Sequence, residues 1–234
     1  LGITLNKYNC CDFGKVDSIG VLCRGKSLGS IGKYKENFKN IFLVGQHYRS
    51  LKLIGEHIDG SNIVKIWGST FNKPSNGYKK QYAKYNIRDM QTYLDPNLSD
   101  RKAYKFKKIT KTNHGLLEVF PKPTDFNERN KRFILKRDHR RGERLHHPTI
   151  GLFAVDMACA YKPKQVNIIG LDFYCASDFV EEKRHISTKK NFCRGPSMIE
   201  YFVLLCKEEP DIQFNLYTCC RKIKSNRNLN IIRV

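Results

Sequence analysis

Apolar residues in this chain gather into short runs separated by polar breaks that carry glycine. Ser18 to Cys23, Asn40 to Val44 and Asn62 to Trp67 each read as a buried strand. Each runs into a turn: Arg24 to Gly29, Gly45-Gln46-His47 and Gly68-Ser69-Thr70. Tyr48 to His57 between the second and third runs fits a short helix. Strands alternating with helical or irregular segments predict βαβ units and a parallel sheet.

The strongest pattern lies between His147 and Tyr174. Pro148 and Thr149 are helix-start residues. Leu152, Phe153, Val155, Met157, Ala158 and Ala160 then make a helix apolar on most of its surface, and Pro163 stops it. Val166 to Leu171 is a β-branched apolar run, as expected of a parallel strand covered on both faces. Gly170, Asp172 and Tyr174 follow where open α/β sheets place their ligands, past the strand's carboxyl end. Further on, Cys175 to Gly195 reads as a loop and Pro196 to Glu209 as a helix. Asp211 to Tyr217 reads as a strand and Asn228 to Val234 as an edge strand.

Between Asn72 and Arg144 the periodicity fades, and only Gly115 to Phe120 reads as a strand. A long polar stretch of this kind predicts an insertion or lid over a site. The expected architecture is α/β: a Rossmann-like open parallel sheet flanked by helices, one nucleotide-binding domain over residues 1–234. Residues 72–144 would be its lid-like insertion. The first dozen residues read as a lead-in.

Charge narrows the choice of partners. Among 234 residues, 43 Lys and Arg face 22 Asp and Glu, for a formal net charge of +21. Such an excess suits nucleic acid, an anionic membrane surface or a phosphorylated substrate. Its densest stretch, Lys131 to Arg144, is a candidate contact for nucleic acid or an anionic membrane. No apolar run reaches the roughly 20 residues needed to span a bilayer, and no signal-peptide pattern opens the chain. The expected location is the cytoplasm or the cytoplasmic face of a membrane. Leu1 is not an initiator methionine, so a fragment cut from a longer precursor is expected, and an anchor could have been lost with the remainder. The nine cysteines include the adjacent pairs Cys10-Cys11 and Cys219-Cys220 but no CxxC spacing. They read as reduced thiols rather than as a disulfide framework or a zinc site.

Four places carry candidate chemistry. Gly25-Lys26-Ser27 ends a strand and presents backbone N–H groups, although its spacing is not that of a Walker loop. Thr149 can cap the following helix while Gly151 lets a ligand approach the backbone. Asp172 and Tyr174 leave the central strand, with Tyr174 placed to reach a departing phosphate. His185 lies in the loop beyond, a candidate acid or base.

In this order these segments resemble the sialyltransferases: a strand, Gly25-Lys26-Ser27-Leu28, the helix opened by Pro148-Thr149-Ile150-Gly151, Val166 to Tyr174, and a loop histidine. The likeness is greatest to the bacterial family that makes sialylated lipooligosaccharide, and it extends to the short sialylmotif of the animal enzymes. It covers the first strand region and residues 145–217. The resemblance implies an inverting glycosyltransferase that uses no metal or cofactor. CMP-sialic acid would be its donor substrate and a glycan hydroxyl the acceptor. It implies that Gly25 and Ser27 contact the nucleotide phosphate, that Thr149 and Gly151 meet the donor, and that Asp172 belongs to the donor site. Tyr174 would stabilise the leaving phosphate and His185 would act as general base on the acceptor. The bacterial family has Thr-Ser-Gly where this chain has Thr149-Ile150-Gly151. Phe179 stands near the place of the family's second tyrosine, and His146 and His147 offer another source of a histidine.

Three other readings accompany this one. They are a basic nucleic-acid-binding module on a Rossmann-like scaffold, a transferase of diphosphate to a pterin-like alcohol, and an inactive relative kept for interaction.

Overall fold

In the computed structural model, the structure describes residues 13, 15–44, 48–67, 84–85, 87–92, 111–112, 115–116, 118–120, 149–175 and 189–234. Their main element is an eight-stranded sheet whose neighbouring strands all pair in parallel. Strands β1 (Ser18–Leu22), β2 (Asn40–Val44), β3 (Asn62–Trp67), β4 (Arg88–Thr92) and β7 (Glu118–Phe120) run outward to one edge. The chain then returns beside β1 as β8 (Gln165–Ile169) and continues to the other edge through β9 (Gln213–Thr218) and β10 (Leu229–Arg233). The order β10-β9-β8-β1-β2-β3-β4-β7 therefore reverses direction between β1 and β8. Such a reversal opens a crevice at the carboxyl ends of the two strands, the usual ligand position in this architecture. The α/β reading is confirmed.

Strands β1, β2, β3, β8 and β9 bury both faces. In β2, Phe42 and Val44 enter the core under helices α2 (Ile150–Ala160) and α3 (Lys189–Glu208). Ile41 and Leu43 enter the opposite core, beneath a 3₁₀ segment (Lys26–Asn37) and helix α1 (Tyr48–Ile58). A parallel strand covered on both sides must be apolar at successive positions, which explains the unbroken runs in the sequence. A polar row crosses the sheet at Asn167, Asn215 and Asn230, in register on β8, β9 and β10. Asn230 donates to Asn215 at 3.4 Å, Asn215 donates to Asn167 at 2.9 Å, and Asn167 donates to the Asn37 carbonyl at 3.1 Å. These bonds satisfy the amides of Asn167 and Asn215, which would be costly to bury alone.

Several expected boundaries change. Helix α3 starts at Lys189, so residues 189–195, expected as loop, are helical and Pro196 lies inside the helix. Lys189, Lys190 and Arg194 are good helix formers, and the helix carries Pro196 despite the donor it removes and the clash of its ring with the preceding turn. Gly115 to Phe120 is not one strand. Gly115–Leu116 (β6) pairs antiparallel with Lys111–Thr112 (β5), whereas Glu118–Phe120 joins the main sheet. Strand β4, Arg-Asp-Met-Gln-Thr, has almost no apolar signal and was not expected. Two strands from within residues 72–144, β4 and β7, thus lie in the main sheet. Among the described residues no helix is long and apolar enough to cross a membrane. The basic stretch Lys131 to Arg144 and the first dozen residues lie outside the described residues.

Candidate active site

The crevice between β1 and β8 is built by backbone that continues the strand pairing into the loops. The Cys23 N–H donates to the Ile169 carbonyl at 2.8 Å, and the Gly25 N–H donates to the Gly170 carbonyl at 2.7 Å. Approach this close excludes a side chain at residue 25: a Cβ there would lie 2.4 Å from Asp172 Oδ2 and 2.6 Å from the Gly170 oxygen. Gly170 has φ +79°, and a Cβ on it would lie 2.2 Å from the Cys23 oxygen. Both glycines are required by the contact between the two strand ends.

Asp172 fastens this contact. Its Oδ2 accepts from the Ser27 N–H at 2.9 Å. Its Oδ1 accepts from the Thr218 hydroxyl at 2.8 Å and from the Cys219 N–H at 3.0 Å. The Ser27 hydroxyl in turn accepts from the Gly170 N–H at 2.9 Å. Ser27 is 1% exposed and Asp172 4%. These two residues, expected against the donor, hold the loops after β1, β8 and β9 together as the floor of the crevice. A buried carboxylate with three donors is well compensated for its loss of water.

Helix α2 enters from the third side. Thr149 caps it, its hydroxyl accepting from the Leu152 N–H at 3.5 Å. At Gly151 a Cβ would lie 2.9 Å from Cys23 Sγ and 3.2 Å from Leu171 Cδ1, so the first turn of α2 presses against both strand ends. Ile150, where the resembled family has a hydroxyl, packs against the core. Gly25, Ser27, Thr149, Gly151 and Asp172 therefore meet at one rim.

Tyr174 is held at that rim by an unusual turn. The Cys175 N–H donates to the Asp172 carbonyl at 2.8 Å, and the two residues between, Phe173 and Tyr174, have φ of 50° and 58°. Two central residues at positive φ define a type I′ turn, which normally carries glycine or asparagine. The left-handed conformation costs roughly 1–2 kcal/mol at each such residue. Phe173, 3% exposed and packed against Phe202 at a ring-centroid distance of 5.7 Å, anchors the turn from below. Backbone strain of this kind gathers at functional sites. Tyr174 is partly buried and rests on the same core.

Sequence reasoning missed two features of this rim. One is Thr218-Cys219, the second half of the Asp172 clasp, which only the pairing of β8 with β9 brings near. The other is Lys65, fully buried in β3, whose ammonium donates to the Leu43 carbonyl at 3.4 Å. Burial, and then the negative charge of Asp172, push the Cys23 thiol up to about 12, with Lys65 opposing. Cys23 is also closed to solvent reagents, so it packs as a small apolar group. His185, with His146 and His147, lies outside the described residues.

No family model and no curated protein matches the chain. Solved structures do. The sialyltransferase CstII from Campylobacter jejuni, in complex with the substrate analogue CMP-3FNeuAc, superposes with a TM-score of 0.57 at 15% identity. That match covers 92% of this chain and 86% of the other. The sialyltransferase CST-II in complex with a trisaccharide acceptor and CMP gives 0.56 at 15% identity, covering 92% and 85%. The monofunctional alpha-2,3-sialyltransferase Cst-I from Campylobacter jejuni gives 0.55 at 16% identity, covering 93% and 81%. The chain has the fold of these sialyltransferases.

Proposed function

We propose that the protein is a glycosyltransferase of the sialyltransferase type. It would move a sugar from a CMP-activated donor to a glycan hydroxyl with inversion and without a metal. One observation carries the reading: Gly25, Ser27, Gly151, Asp172 and Tyr174, drawn from three distant parts of the chain, converge on the crevice where the sheet reverses. The fold shared with enzymes solved in complex with CMP supports it.

In this reading the donor phosphate sits above the turn Gly25-Lys26-Ser27, near the first turn of α2. The Gly25 and Ser27 N–H groups are taken by Gly170 and Asp172, so the first turn of α2 supplies the backbone donors, and its positive end adds to the attraction. Asp172 and Ser27 act on the donor through the turn they hold. The Tyr174 hydroxyl donates to the departing phosphate, and His185 takes the proton of the acceptor hydroxyl.

The test is release of CMP from CMP-sialic acid, with and without a galactose-terminated acceptor, repeated with a chelator present. Turnover that survives chelation and is lost in a folded His185→Ala variant supports the proposal. Failure to cleave any CMP-, UDP- or GDP-sugar would overturn it.

A further inference from the structure

The turn that carries Tyr174 ends at Cys175, and Cys175 faces Cys220 with Sγ···Sγ 2.7 Å. The two sulfurs are in contact, so a bond between them needs little movement of either backbone. Both residues are held from their backbones. The Cys175 N–H is fixed to the Asp172 carbonyl, and the Cys220 N–H donates to the Thr218 hydroxyl at 3.1 Å. Thr218 itself bonds the Asp172 carboxylate, so one residue aligns both halves, through its backbone carbonyl on the Cys175 side and its side chain on the Cys220 side. The Arg233 guanidinium donates to the Cys220 carbonyl and, at 2.8 Å, to the Ile223 carbonyl, which pins the far side. Among the described residues the rim offers no better pair. The Cys219 thiol is directed to the Val234 carbonyl at 3.3 Å, and Cys23, Cys159 and Cys206 are buried. Cys175 is exposed and Cys220 is fully buried, which gives the pair one sulfur that solvent reagents can reach.

We infer that Cys175 and Cys220 are an oxidative modification site, a thiol pair that closes to a disulfide with a low-molecular-weight disulfide as co-reactant and thereby locks the Tyr174 turn to the end of β9. The exposed Cys175 thiolate attacks oxidised glutathione, forming a mixed disulfide and expelling one glutathione thiolate. The Cys220 thiolate then attacks the Cys175 sulfur and expels the second. Two protons leave the protein, two electrons pass to the glutathione disulfide, and one S–S bond is gained for the one broken. Burial and the Cys220 hydrogen bond hold the Cys175 thiol up at about 12, so the first step quickens as the solution becomes alkaline. Once closed, the bond ties together loops that hydrogen bonds alone hold in the reduced protein. The modification does not depend on which reaction the crevice performs.

The experiment treats the full chain with excess oxidised glutathione at mildly alkaline pH, followed by non-reducing tryptic mapping. Cleavage after Lys164, Lys183, Lys207 and Arg221 puts Cys175 in one peptide and Cys219 with Cys220 in another. The expected result is these two peptides joined with the loss of two hydrogen atoms, in the parent protein and in Cys219→Ser. The joined pair should vanish in Cys175→Ser, whose exposed position leaves folding intact by circular dichroism. Loss of the linkage in Cys219→Ser would overturn the inference, as would a parent protein that carries only glutathione on Cys175.

Discussion

The backbone N–H of Ser27 donates to the carboxylate of Asp172 at 2.9 Å across 145 residues of sequence. This bond joins the turn after the first strand to the loop after the eighth, and so defines the crevice in which the proposed chemistry takes place. Asp172→Asn tests it with almost no change of shape. The amide can keep its oxygen toward Thr218 and Cys219, but its NH₂ then faces the Ser27 N–H, donor against donor. Loss of a charge-assisted bond with an opposed buried donor should cost about 2–3 kcal/mol in urea unfolding. Because the turn 25–27 is released, KM for the nucleotide-sugar should rise more than kcat falls. Unchanged stability would show that the clasp does not hold the rim.

Gly170 and Gly60 separate conformation from space. Both have positive φ, +79° and +74°, but a Cβ on Gly60 meets nothing within 4 Å whereas one on Gly170 overlaps the Cys23 carbonyl. Gly60→Ala should cost only the left-handed penalty, about 1–2 kcal/mol. Gly170→Ala must also part β1 from β8, and should cost at least about 2 kcal/mol more, or prevent folding. Equal denaturation midpoints for the two variants would refute the close approach of these strand ends.

Much of this fold was legible because a parallel sheet buried on both faces writes itself as unbroken apolar runs. Ile41 to Val44 and Val166 to Ile169 could hardly be anything else. The turn glycines Gly25 and Gly170 and the capping Thr149 also declared themselves locally. What stayed hidden depends on partners remote in sequence. Arg88–Thr92 is a strand because β3 and β7 flank it, not because of its own residues. Asp172 read as a ligand contact, since nothing nearby announces that Ser27, Thr218 and Cys219 would take up its oxygens. The left-handed Phe173 and Tyr174 were invisible for the same reason: their conformation is imposed by the clasp at Asp172 and the anchoring of Phe173 on Phe202. Cys175 and Cys220 looked like scattered thiols until β8 and β9 paired.

Tyr174 offers a way to tell catalysis from architecture. Tyr174→Phe keeps the ring on the core and removes only the hydroxyl, so stability should change by less than about 1 kcal/mol. If that hydroxyl stabilises the departing phosphate, kcat for CMP release should fall roughly 10²-fold while KM for the donor stays nearly constant. Tyr174→Gly should still fold, since relief of the left-handed strain offsets part of the lost ring packing. An unaltered kcat in Tyr174→Phe would remove the residue from the mechanism.

The buried thiol of Cys23 sets a pH dependence of stability whose sign follows from its surroundings. Its ordinary value is 9.0, and burial together with the Asp172 carboxylate raises it to about 12 in the folded protein. Below pH 9 the thiol is protonated whether the chain is folded or not, and it contributes no pH dependence. Between 9 and about 12 the unfolded chain has lost this proton and the folded chain retains it. Raising the pH then favours unfolding, by about 1.4 kcal/mol per pH unit for a single group. Other groups titrate in the same range, so the measurement is a difference. Urea unfolding of the parent protein and of Cys23→Ala should be compared from pH 8 to about pH 11. The gap between the two stabilities should be constant up to about pH 9 and then narrow, because only the parent loses the contribution of the protonated thiol. Curves that remain parallel through that window would mean that Cys23 ionises as freely in the folded protein as in the unfolded one, and that the junction of β1, β8 and α2 is open to water.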